Sequence, residues 1–505
     1  MQTLQEWMAQ GQANAVCLSA SGAAALTYQG LLDLSAHVQQ SLNAVGIGRH
    51  DRVAIVLPNG AEMAAAFVSV AACSTSAPLN PAYRADEFEF YLNDLNAKAM
   101  VVEQGSQSPA VEIARKLGVS IVYLRPTPQQ GAGSFTLDTS SRSAQPARDA
   151  GMAQADDVAL VLHTSGTTSR PKIVPLTQRN VCASAVHIAH STEFSASDRG
   201  LNVMPLFHIH GLIAGILAPL SQGGEVHCTA GFNALKFFAQ MEDVKPTWYT
   251  AVPTMHQAIL SRAANNRAVI QKVPLRFIRS SSSSLPPQVL AELEATFHAP
   301  VIEAYGMTEA AHQMACNPLP PGQRKPGTVG LAAGPEVAIM DTEGHLLVTG
   351  STGEIVIRGP NVTLGYENND QANADNFTHG WFRTGDQGVI DKQGYISITG
   401  RLKEIINRGG EKISPREIDE ILMDHAAVAQ VVCFGIPHDK LGEEVGAAVV
   451  LRDGKTATEK ELRDYVATRV ADFKVPRKIL LVDEIPKGAT GKLQRIGMAQ
   501  KLGLA

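Results

Sequence analysis

The chain of 505 residues is 45% hydrophobic and 18% charged, a balance typical of globular proteins that divide into several domains at this length. Its net charge of −5 predicts no broad basic surface, so nucleic acid is not an expected partner. The six cysteines have no Cys-x-x-Cys spacing and predict neither a zinc site nor a disulfide framework.

Strands and helices alternate through the first 300 residues, which predicts an α/β fold with parallel sheets covered on both faces. An irregular surface connection is expected at 125–156, which is rich in Pro, Gly, Ser and Gln. We expect a strand edge and helix over 27–48, strands at 51–58, 98–102, 119–124, 157–162, 201–204, 225–229, 248–251 and 275–279, and helices at 61–72, 178–190, 234–241 and 287–297.

The last third of the chain has a different pattern of apolar and polar residues. Residues 328–400 contain short apolar runs divided by Gly and Asp, which predicts a small β-rich subdomain. Beyond it, capping boxes at 414–417 and 458–461 begin helices, with strands between them at 428–434 and 446–451. We therefore predict a large N-terminal domain over 1–402 and a smaller α+β domain over 403–505.

No targeting or membrane segment is apparent. The chain has no apolar run of the roughly 18 residues that cross a membrane, and its first residues do not resemble a signal peptide. Its last residues are Gly503-Leu504-Ala505, which is not a peroxisomal signal. The sequence therefore predicts a cytoplasmic protein without a membrane span.

Residues 163–172, His-Thr-Ser-Gly-Thr-Thr-Ser-Arg-Pro-Lys, lie between a predicted strand and a predicted helix. Such a loop binds phosphate through backbone N–H groups and hydroxyls, while Gly166 permits close approach and Lys172 supplies positive charge. It is not a Walker P-loop, because no Gly precedes the lysine and no Ser or Thr follows it.

The loop resembles the phosphate-binding motif of the adenylate-forming superfamily, which includes acyl-CoA synthetases, firefly luciferase and peptide-synthetase adenylation domains. Its variant Thr-Ser-Gly-Thr-Thr-Ser-Arg-Pro-Lys, together with residues 312–320, is similar to the oxalyl-CoA synthetase branch. The family usually has Gly where this chain has Ser169 and Ile173. The resemblance implies two βαβ-type subdomains and a β-barrel-like subdomain in the N-terminal domain, a mobile C-terminal domain, and the use of ATP, Mg²⁺ and coenzyme A.

The resemblance also implies which residues contact the nucleotide. Tyr305 is expected to pack on adenine, Thr308 to hold the α-phosphate, and Asp386 with Arg401 to contact the ribose. Mg²⁺ is assigned to Glu309 and Thr168. The full set assigned to ATP or AMP is Thr164, Ser165, Gly166, Thr167, Thr168, Lys172, Ser282, Glu303, Ala304, Tyr305, Gly306, Met307, Thr308, Asp386 and Arg401.

In the C-terminal domain the resemblance marks a catalytic lysine, a hinge and a loop. Lys492 matches the lysine that bridges the attacking carboxylate and the phosphate during adenylation. Lys403 matches the hinge, and Arg408, Gly409 and Gly410 match the loop that lines the pantetheine tunnel after domain rotation. Together with Thr308, Glu309 and His208, Lys492 forms the expected catalytic set.

The acid pocket is expected around His208, His210, Ser281 and His312, with Arg279 and Ser280 to Ser284 along another wall. Histidines and hydroxyls in a small space suit a second carboxylate. Oxalate is therefore the first hypothesis for the acid. Two alternatives stay open: a medium-chain or aromatic acyl-CoA ligase, and an adenylation module that loads a carrier protein, although no carrier domain follows Ala505. The chain is expected to be a monomer or a homodimer.

Overall fold

The structure is a computed structural model, and it describes residues 2–139, 146–164, 171–486 and 495–505. In the first of these ranges helices and strands alternate. They are α1 (Leu4–Met8), β1 (Val16–Ser19), β2 (Leu26–Thr27), α2 (Tyr28–Ala44), β3 (Arg52–Val56), α3 (Ala61–Ala71), β4 (Thr75–Pro78), α4 (Ala85–Asp94), β5 (Ala99–Glu103), α5 (Pro109–Leu117), β6 (Ser120–Pro126) and β7 (Phe135–Asp138).

The alternation continues to residue 316, with a π-helix at His210–Leu217 and 3₁₀ turns at Ala264–Asn266 and Thr308–Ala310. The other elements are β8 (Val158–Thr164), β9 (Lys172–Thr177), α6 (Gln178–Thr192), β10 (Arg199–Asn202), α7 (Ala218–Leu220), β11 (Glu225–Cys228), α8 (Phe237–Val244), β12 (Trp248–Ala251), α9 (Pro253–Ala263), α10 (Arg267–Lys272), β13 (Phe277–Ser281), α11 (Pro287–Phe297), β14 (Val301–Met307) and β15 (His312–Cys316).

Strands outnumber helices in the described part of the remainder, which also has a 3₁₀ turn at Asp472–Lys474. The elements are β16 (Leu331–Ala332), β17 (Glu336–Met340), β18 (Thr352–Arg358), α12 (Asp370–Asn376), β19 (Phe377–Thr378), β20 (Trp381–Ile390), β21 (Ile396–Arg401), β22 (Ile406–Arg408), β23 (Glu411–Ile413), α13 (Pro415–Met423), β24 (Val428–His438), β25 (Gly442–Leu451), α14 (Glu459–Ala467), β26 (Lys478–Leu481) and α15 (Met498–Lys501).

Four sheets organise these strands. A seven-stranded sheet has the order β7-β6-β5-β3-β4-β8-β9, and a nine-stranded sheet has the order β16-β15-β14-β13-β12-β10-β11-β1-β2. A five-stranded antiparallel sheet, β17 to β21, forms the predicted small β-rich subdomain. The fourth sheet, β22 to β26, with α13, α14 and α15, forms the smaller α+β domain. The predicted fold class is confirmed.

The two large sheets share one apolar core. Val53 and Leu160 of the seven-stranded sheet, and Phe277 of the nine-stranded sheet, belong to the same buried cluster as Phe67 of α3 and Leu212 of the π-helix. A second cluster covers the opposite face of the nine-stranded sheet and extends into the C-terminal domain. Strands that carry candidate site residues therefore lie between two cores, which fixes their positions.

Two helix starts show how far capping signals predict structure. At α14 the predicted capping box is present, because Thr458 Oγ1 accepts from the Glu461 N–H and the Glu461 carboxylate accepts from the Thr458 N–H. At α13 the helix begins at Pro415, but the predicted box is wrong. There the Ser414 hydroxyl donates to the Thr399 carbonyl, and Glu417 pairs with Lys474 at 2.7 Å.

Two further expectations need correction, and one element was not predicted. The connection at 125–156 is not wholly irregular, because β7 pairs antiparallel with β6 inside it. The segment after β8 is not a direct passage into a helix, because β9 lies between and pairs antiparallel with β8. Residues 210–217 form a π-helix that the sequence analysis did not predict. In the described ranges, no helix is both long enough and apolar enough to pass through a membrane.

Candidate active site

Parallel strands bring most of the predicted site residues to one edge. Strands β12, β13 and β14 are parallel neighbours, with Thr250 beside Arg279 and Ser281 beside Ala304. Their carboxyl ends therefore carry Ser282 and the segment after Tyr305 to the same edge of the sheet. Ligands of open α/β sheets bind at this edge.

Glu309 lies in the 3₁₀ turn after β14 and is 5% exposed. Its Oε1 accepts a 2.7 Å hydrogen bond from the hydroxyl of Tyr366. Burial raises the pKa of the Glu309 carboxyl, while the Tyr366 hydroxyl and the positive charges of Arg401 and Lys172 act in the opposite direction. A cation beside this carboxylate would compensate for its lost hydration.

Lys172 opens β9 directly opposite Thr164 of β8. Its Nζ lies 4.3 Å from the centroid of the Tyr366 ring, a cation–π distance. Burial lowers the pKa of Lys172, and the nearby charge of Lys403 lowers it further, whereas Glu309 raises it. Tyr366 therefore contacts the candidate phosphate-binding cation and the candidate metal-binding carboxylate with one side chain.

Several predicted phosphate and catalytic residues are outside the described ranges. These residues are Ser165, Gly166, Thr167, Thr168 and Lys492. Their predicted roles therefore remain predictions from the sequence.

The predicted ribose residues form a connected group. The Asp386 carboxylate is 4% exposed, accepts a hydrogen bond from the Tyr305 hydroxyl, and accepts a 2.9 Å hydrogen bond from Arg401 Nε. The negative charge of Asp386 raises the pKa of Arg401. Burial raises the pKa of Tyr305, and Asp386 raises it further, so the phenol stays a donor. A carboxylate, which can only accept, can in this position also accept hydrogen bonds from the two hydroxyls of a vicinal diol.

Gly306 allows an unusually close contact between β14 and β15. A β-carbon at Gly306 would lie 1.8 Å from the carbonyl oxygen of His312. His312 itself has φ of 100°, and Ala311 before it has φ of 46°. Such left-handed backbone is uncommon outside glycine and is frequent at functional sites.

The remaining nucleotide candidates of β14 differ in exposure. Met307 and Thr308 are half-buried and lie near the sheet edge, whereas Glu303 is 1% exposed. Glu303 Oε1 accepts from the Leu285 N–H at 3.0 Å, and burial raises the pKa of Glu303 to about 7. Ala304 offers its carbonyl to the Ser281 hydroxyl at 2.9 Å. Glu303 and Ala304 thus support the strand from within.

The predicted acid pocket contains a stacked pair of histidines. The rings of His210 and His312 lie 4.9 Å apart at 18°, and both residues are almost fully buried. His210 Nδ1 is 3.0 Å from Ser282 Oγ, and His210 Nε2 is 2.7 Å from Thr250 Oγ1. Ser282 has φ of 75°, so strained backbone lies on both sides of the histidine pair.

Two other acid-pocket candidates make hydrogen bonds with the protein backbone. The Ser281 hydroxyl donates to the Ala304 carbonyl at 2.9 Å, which ties β13 to β14. The half-buried His208 accepts the His210 backbone N–H at Nδ1, 3.3 Å away, just before the π-helix. His208 therefore holds the backbone from which the His210 ring projects.

Arg279 and Gln313 support the histidine pair from below. Arg279 Nη1 lies 3.5 Å from His210 Nε2, and Arg279 Nη2 donates to Gln313 Oε1 at 3.2 Å. The Gln313 amide continues to Ser191 Oγ at 2.9 Å and to the Ala333 carbonyl at 3.2 Å. The sequence placed Arg279 near the pocket wall but did not reveal this network, which joins strands β13 and β15 to helix α6.

The candidate CoA loop is a tight hairpin. Gly409 and Gly410 join β22 to β23 with φ of 59° and 99°, the pattern of a type I′ turn. Arg408 Nε pairs with Glu444 Oε1 at 2.6 Å, which fixes the base of the hairpin. A β-carbon at Gly410 would meet no atom within 4 Å, so the requirement for glycine there is conformational.

The candidate hinge, Lys403, is exposed at the end of β21. Beside it, the Glu404 and Ile405 N–H groups both donate to the Arg401 carbonyl, which makes a turn between the two domains. Arg495 of the C-terminal domain pairs with Glu404 at 3.2 Å.

Comparison with known proteins identifies the family. The family model described as AMP-binding enzyme matches residues 4–367, and the model described as AMP-binding enzyme C-terminal domain matches residues 417–492. The chain belongs to the AMP-binding enzyme family. The expected adenylate-forming superfamily is therefore confirmed.

Relatives of this AMP-binding enzyme extend over nearly its whole length. Oxalate–CoA ligase of Arabidopsis thaliana is 46% identical over 96% of this chain and 95% of its own. Oxalate–CoA ligase of Saccharomyces cerevisiae is 42% identical over 94% of this chain and 92% of its own. The solved structure of ATP-bound MatB from Rhodopseudomonas palustris superposes with a TM-score of 0.89 and 28% identity, covering 99% of this chain and 98% of that one.

Proposed function

We propose that this AMP-binding enzyme is an ATP-dependent acid–CoA ligase whose acid is oxalate. In the first half-reaction a carboxylate oxygen of the acid bonds to the α-phosphorus of ATP, and pyrophosphate leaves. In the second, the CoA sulfur bonds to the acyl carbon, AMP leaves, and the thiol proton passes to solvent. The relatives named oxalate–CoA ligase, at more than 40% identity, support this reaction class.

One observation carries the choice of a second carboxylate. The proposed acid pocket would be lined by His210, His312, Ser282 and Thr250, which contact one another, with the guanidinium of Arg279 3.5 Å from His210. A pocket for a long alkyl chain or an aromatic ring would be lined mainly by apolar groups. Hydrogen-bonding groups on rigid elements instead suit a small acid with oxygens at both ends.

Side chains of the N-terminal domain would hold the nucleotide. Asp386 would accept the ribose hydroxyls, Arg401 would contact the same sugar, and the Tyr305 ring would pack on adenine. Lys172 and the hydroxyls of Thr164 and Thr308 would contact phosphate oxygens. Except for Thr308, which lies in a 3₁₀ turn, these groups lie on strands, and a fixed arrangement of this kind lowers the cost of binding.

Glu309 fits a Mg²⁺ ligand by its chemistry. It is a buried carboxylate with one oxygen held by Tyr366, and burial disfavours its charged form until a cation arrives. Among the described residues, the one cluster of potential metal ligands is Asp341, Glu343 and His345, on a turn that does not include Glu309. Mg²⁺ would therefore combine Glu309, and Thr168 by the family pattern, with phosphate oxygens, and would supply charge neutralisation there.

The domain boundary is proposed at 402/403, with Lys403 as the hinge. Residues 403–505 would deliver Lys492 to the nucleotide for adenylation and then present Arg408, Gly409 and Gly410 for thioester formation. The glycine hairpin with positive φ at both positions supports the second role, since it exposes backbone without side chains. A turn at Arg401–Ile405 supports the hinge.

A substrate panel tests the proposal. Purified protein receives ATP, Mg²⁺ and CoA with oxalate, octanoate or benzoate, and both pyrophosphate release and the acyl-CoA product are measured. We expect oxalate to be preferred clearly. A preference for octanoate or benzoate would overturn the choice of acid. Transfer to a holo carrier protein in preference to CoA would instead make the chain an adenylation module.

A further inference from the structure

Arg279 is a fully buried arginine without a carboxylate partner in the described part of the chain. Its exposure is 0%, and none of the ion pairs formed by described residues includes it. Its guanidinium lies within hydrogen-bond distance of Gln313 Oε1 and His210 Nε2, and its Nε has no hydrogen-bond partner among the described residues. Burying an uncompensated charge is strongly unfavourable, so this position needs a reason other than stability.

The surroundings of Arg279 disfavour its positive charge. Burial lowers the pKa of Arg279 to about 10, against a smaller opposite effect of the Cys316 side chain. Arg276, three residues earlier, differs because it donates to Asp198 at 2.9 Å and lies 4.7 Å from the Phe277 ring. Arg276 therefore has a counter-charge inside the protein, whereas no described residue supplies one to Arg279.

The contact between Arg279 and His210 fixes the histidine tautomer. An arginine N–H can only donate, so Nη1 at 3.5 Å requires a lone pair on His210 Nε2. With that lone pair on Nε2, the Thr250 hydroxyl 2.7 Å away is the donor of the bond they share. The ring proton of neutral His210 therefore lies on Nδ1, and it is donated to Ser282 Oγ at 3.0 Å.

The tautomer of His210 determines which way the hydroxyl of Ser282 donates, at the edge of the sheet where Ser282 is half-buried. When Ser282 Oγ accepts from His210 Nδ1, its own hydroxyl proton is directed to another acceptor. A carboxylate or sulfonate oxygen of a bound acid is such an acceptor. Without Arg279, His210 could take the other tautomer, and Ser282 would then donate to the ring instead.

We propose that Arg279 is the positioning residue that makes the pocket select an acid with a second anionic group. It holds His210 as the Nδ1–H tautomer, so that Ser282 donates to that group, and its own unpaired charge is neutralised when the dianion binds. Arg279 does not touch the reacting carboxylate, so it changes which acid binds and leaves the adenylation step itself unaltered. This inference rests on the proposed function.

The experiment compares two acids that differ in the second anionic group. Oxalate and acetate both offer a reacting carboxylate, and only oxalate carries another charge. Pyrophosphate release gives kcat and KM for each acid with wild-type protein, Arg279→Gln and Gln313→Glu. The second variant keeps Arg279 but places a carboxylate at the position 3.2 Å from Nη2, where it supplies the missing counter-charge from within the protein.

Both variants are expected to raise the KM for oxalate on the order of 100-fold, the effect of removing a buried charge partner. The kcat for oxalate, the KM for ATP and the KM for acetate should stay close to wild type. Arg279→Lys keeps the charge and is expected to retain more oxalate preference than Arg279→Gln. The matched control is Arg276→Gln, which should lower thermal stability without changing the oxalate-to-acetate ratio.

The outcomes separate the two levels of the proposal. Wild-type protein that forms no oxalyl product would overturn the proposed function. Wild-type protein that is active on oxalate, with an unchanged oxalate-to-acetate ratio in Gln313→Glu, would overturn the role of Arg279 alone. Equal losses for both acids in Arg279→Gln and Arg279→Lys would do the same, because a merely structural arginine affects both acids alike.

Discussion

The hydroxyl of Tyr366 donates a 2.7 Å hydrogen bond to Oε1 of Glu309, although the two residues are 57 positions apart in the chain. The two residues approach because the segment around Thr363 lies against the start of β9 and the turn after β14, with the Thr363 N–H donating to the Glu309 carbonyl. The same Tyr366 ring lies beneath the Lys172 ammonium. One phenol thus positions the proposed metal ligand and contacts a proposed phosphate ligand.

Tyr366→Phe is expected to raise the Mg²⁺ concentration for half-maximal activity about tenfold, the usual cost of losing a residue that orients a metal ligand. The phenyl ring keeps the contact with Lys172, so the KM for the acid should change little. The measurement is a Mg²⁺ titration of pyrophosphate release. Tyr395→Phe is the matched control, because Tyr395 also lies under a lysine, Lys325 at 4.1 Å, and donates to a carbonyl away from the site. Equal responses of the two variants would exclude the positioning role.

Gly306→Ala is expected to disrupt the acid pocket. The new β-carbon would lie 1.8 Å from the His312 carbonyl, which cannot move without separating β14 from β15. Overpacking of this kind costs about 1–3 kcal/mol and should displace the His312 ring. Thermal unfolding and the KM for oxalate measure the two effects.

The matched control for Gly306 is Gly30→Ala in helix α2. Its β-carbon would meet the flexible end of the Leu26 side chain at 2.8 Å, and alanine is the better helix former by about 1 kcal/mol. Gly30→Ala should therefore be neutral or stabilising, with an unchanged KM for oxalate. A harmless Gly306→Ala would show that the approach of His312 to β14 has no part in forming the pocket.

Sequence patterns predicted local structure well where one segment carries the whole signal. The strand at 248–251 and the helix at 287–297 have the bounds that periodicity and flanking residues indicated. The capping box at Thr458 formed, whereas Ser414 was drawn instead to the Thr399 carbonyl across the domain boundary. The residues around Ser414 do not indicate an acceptor that lies far away in the chain. Such a tertiary contact overrides the local capping preference.

The residues of the candidate site also differ in how far local sequence predicts them. Motif positions such as Tyr305, Asp386 and Arg401 were predicted by resemblance, and the fold brings them into one hydrogen-bonded group. Tyr366 and Thr250 were missed, because neither stands in a recognisable motif and each acquires its role from a partner far along the chain. The π-helix was missed because its apolar residues have no periodicity that distinguishes it from an α-helix.

Lys492→Ala is expected to slow acyl-adenylate formation on the order of 10²–10³-fold, because a placed cation stabilises charge that develops at phosphorus. Single-turnover formation of acyl-AMP without CoA isolates this step. Thioester formation from preformed acyl-adenylate should be spared. The control is Lys460→Ala, an exposed lysine of α14 in the same domain that pairs with Asp464 at 3.2 Å. Adenylation at the wild-type rate in Lys492→Ala would refute the proposed role.

Gly410→Ala should produce the complementary defect. Alanine at φ of 99° strains the type I′ turn between β22 and β23 and places a side chain where the thiol arm is proposed to pass. Acyl-AMP formation should be nearly normal, while its conversion to acyl-CoA slows about tenfold, one factor of ten per 1.4 kcal/mol. Gly454→Ala is the control, because Gly454 has φ of 71° in the same domain and open space around it. A defect of equal size in both variants would assign the effect to backbone strain alone.

Glu303→Gln is expected to stabilise the protein above pH 7 and to have little effect near pH 4. Burial raises the pKa of Glu303 in the folded state to about 7, from 4.5 for the ordinary side chain. A raised pKa means that the folded state binds the proton more tightly, so this contribution to stability is complete below pH 4.5 and is lost as the pH rises through 7. The free energy of unfolding should fall by about 3 kcal/mol over this pH range, at 1.36 kcal/mol per pKa unit.

The glutamine in Glu303→Gln keeps a carbonyl oxygen for the Leu285 N–H and carries no charge at any pH. Chemical denaturation at pH 4.5, 6 and 8 measures the free energy of unfolding of both proteins. The difference between variant and wild type should therefore increase with pH. Glu294→Gln is the control, since Glu294 is a half-buried glutamate that pairs with Arg324 at 3.0 Å. A difference in unfolding free energy that does not change with pH would show that the pKa of Glu303 is not raised in the folded protein, with the charge of Arg416 offsetting the effect of burial.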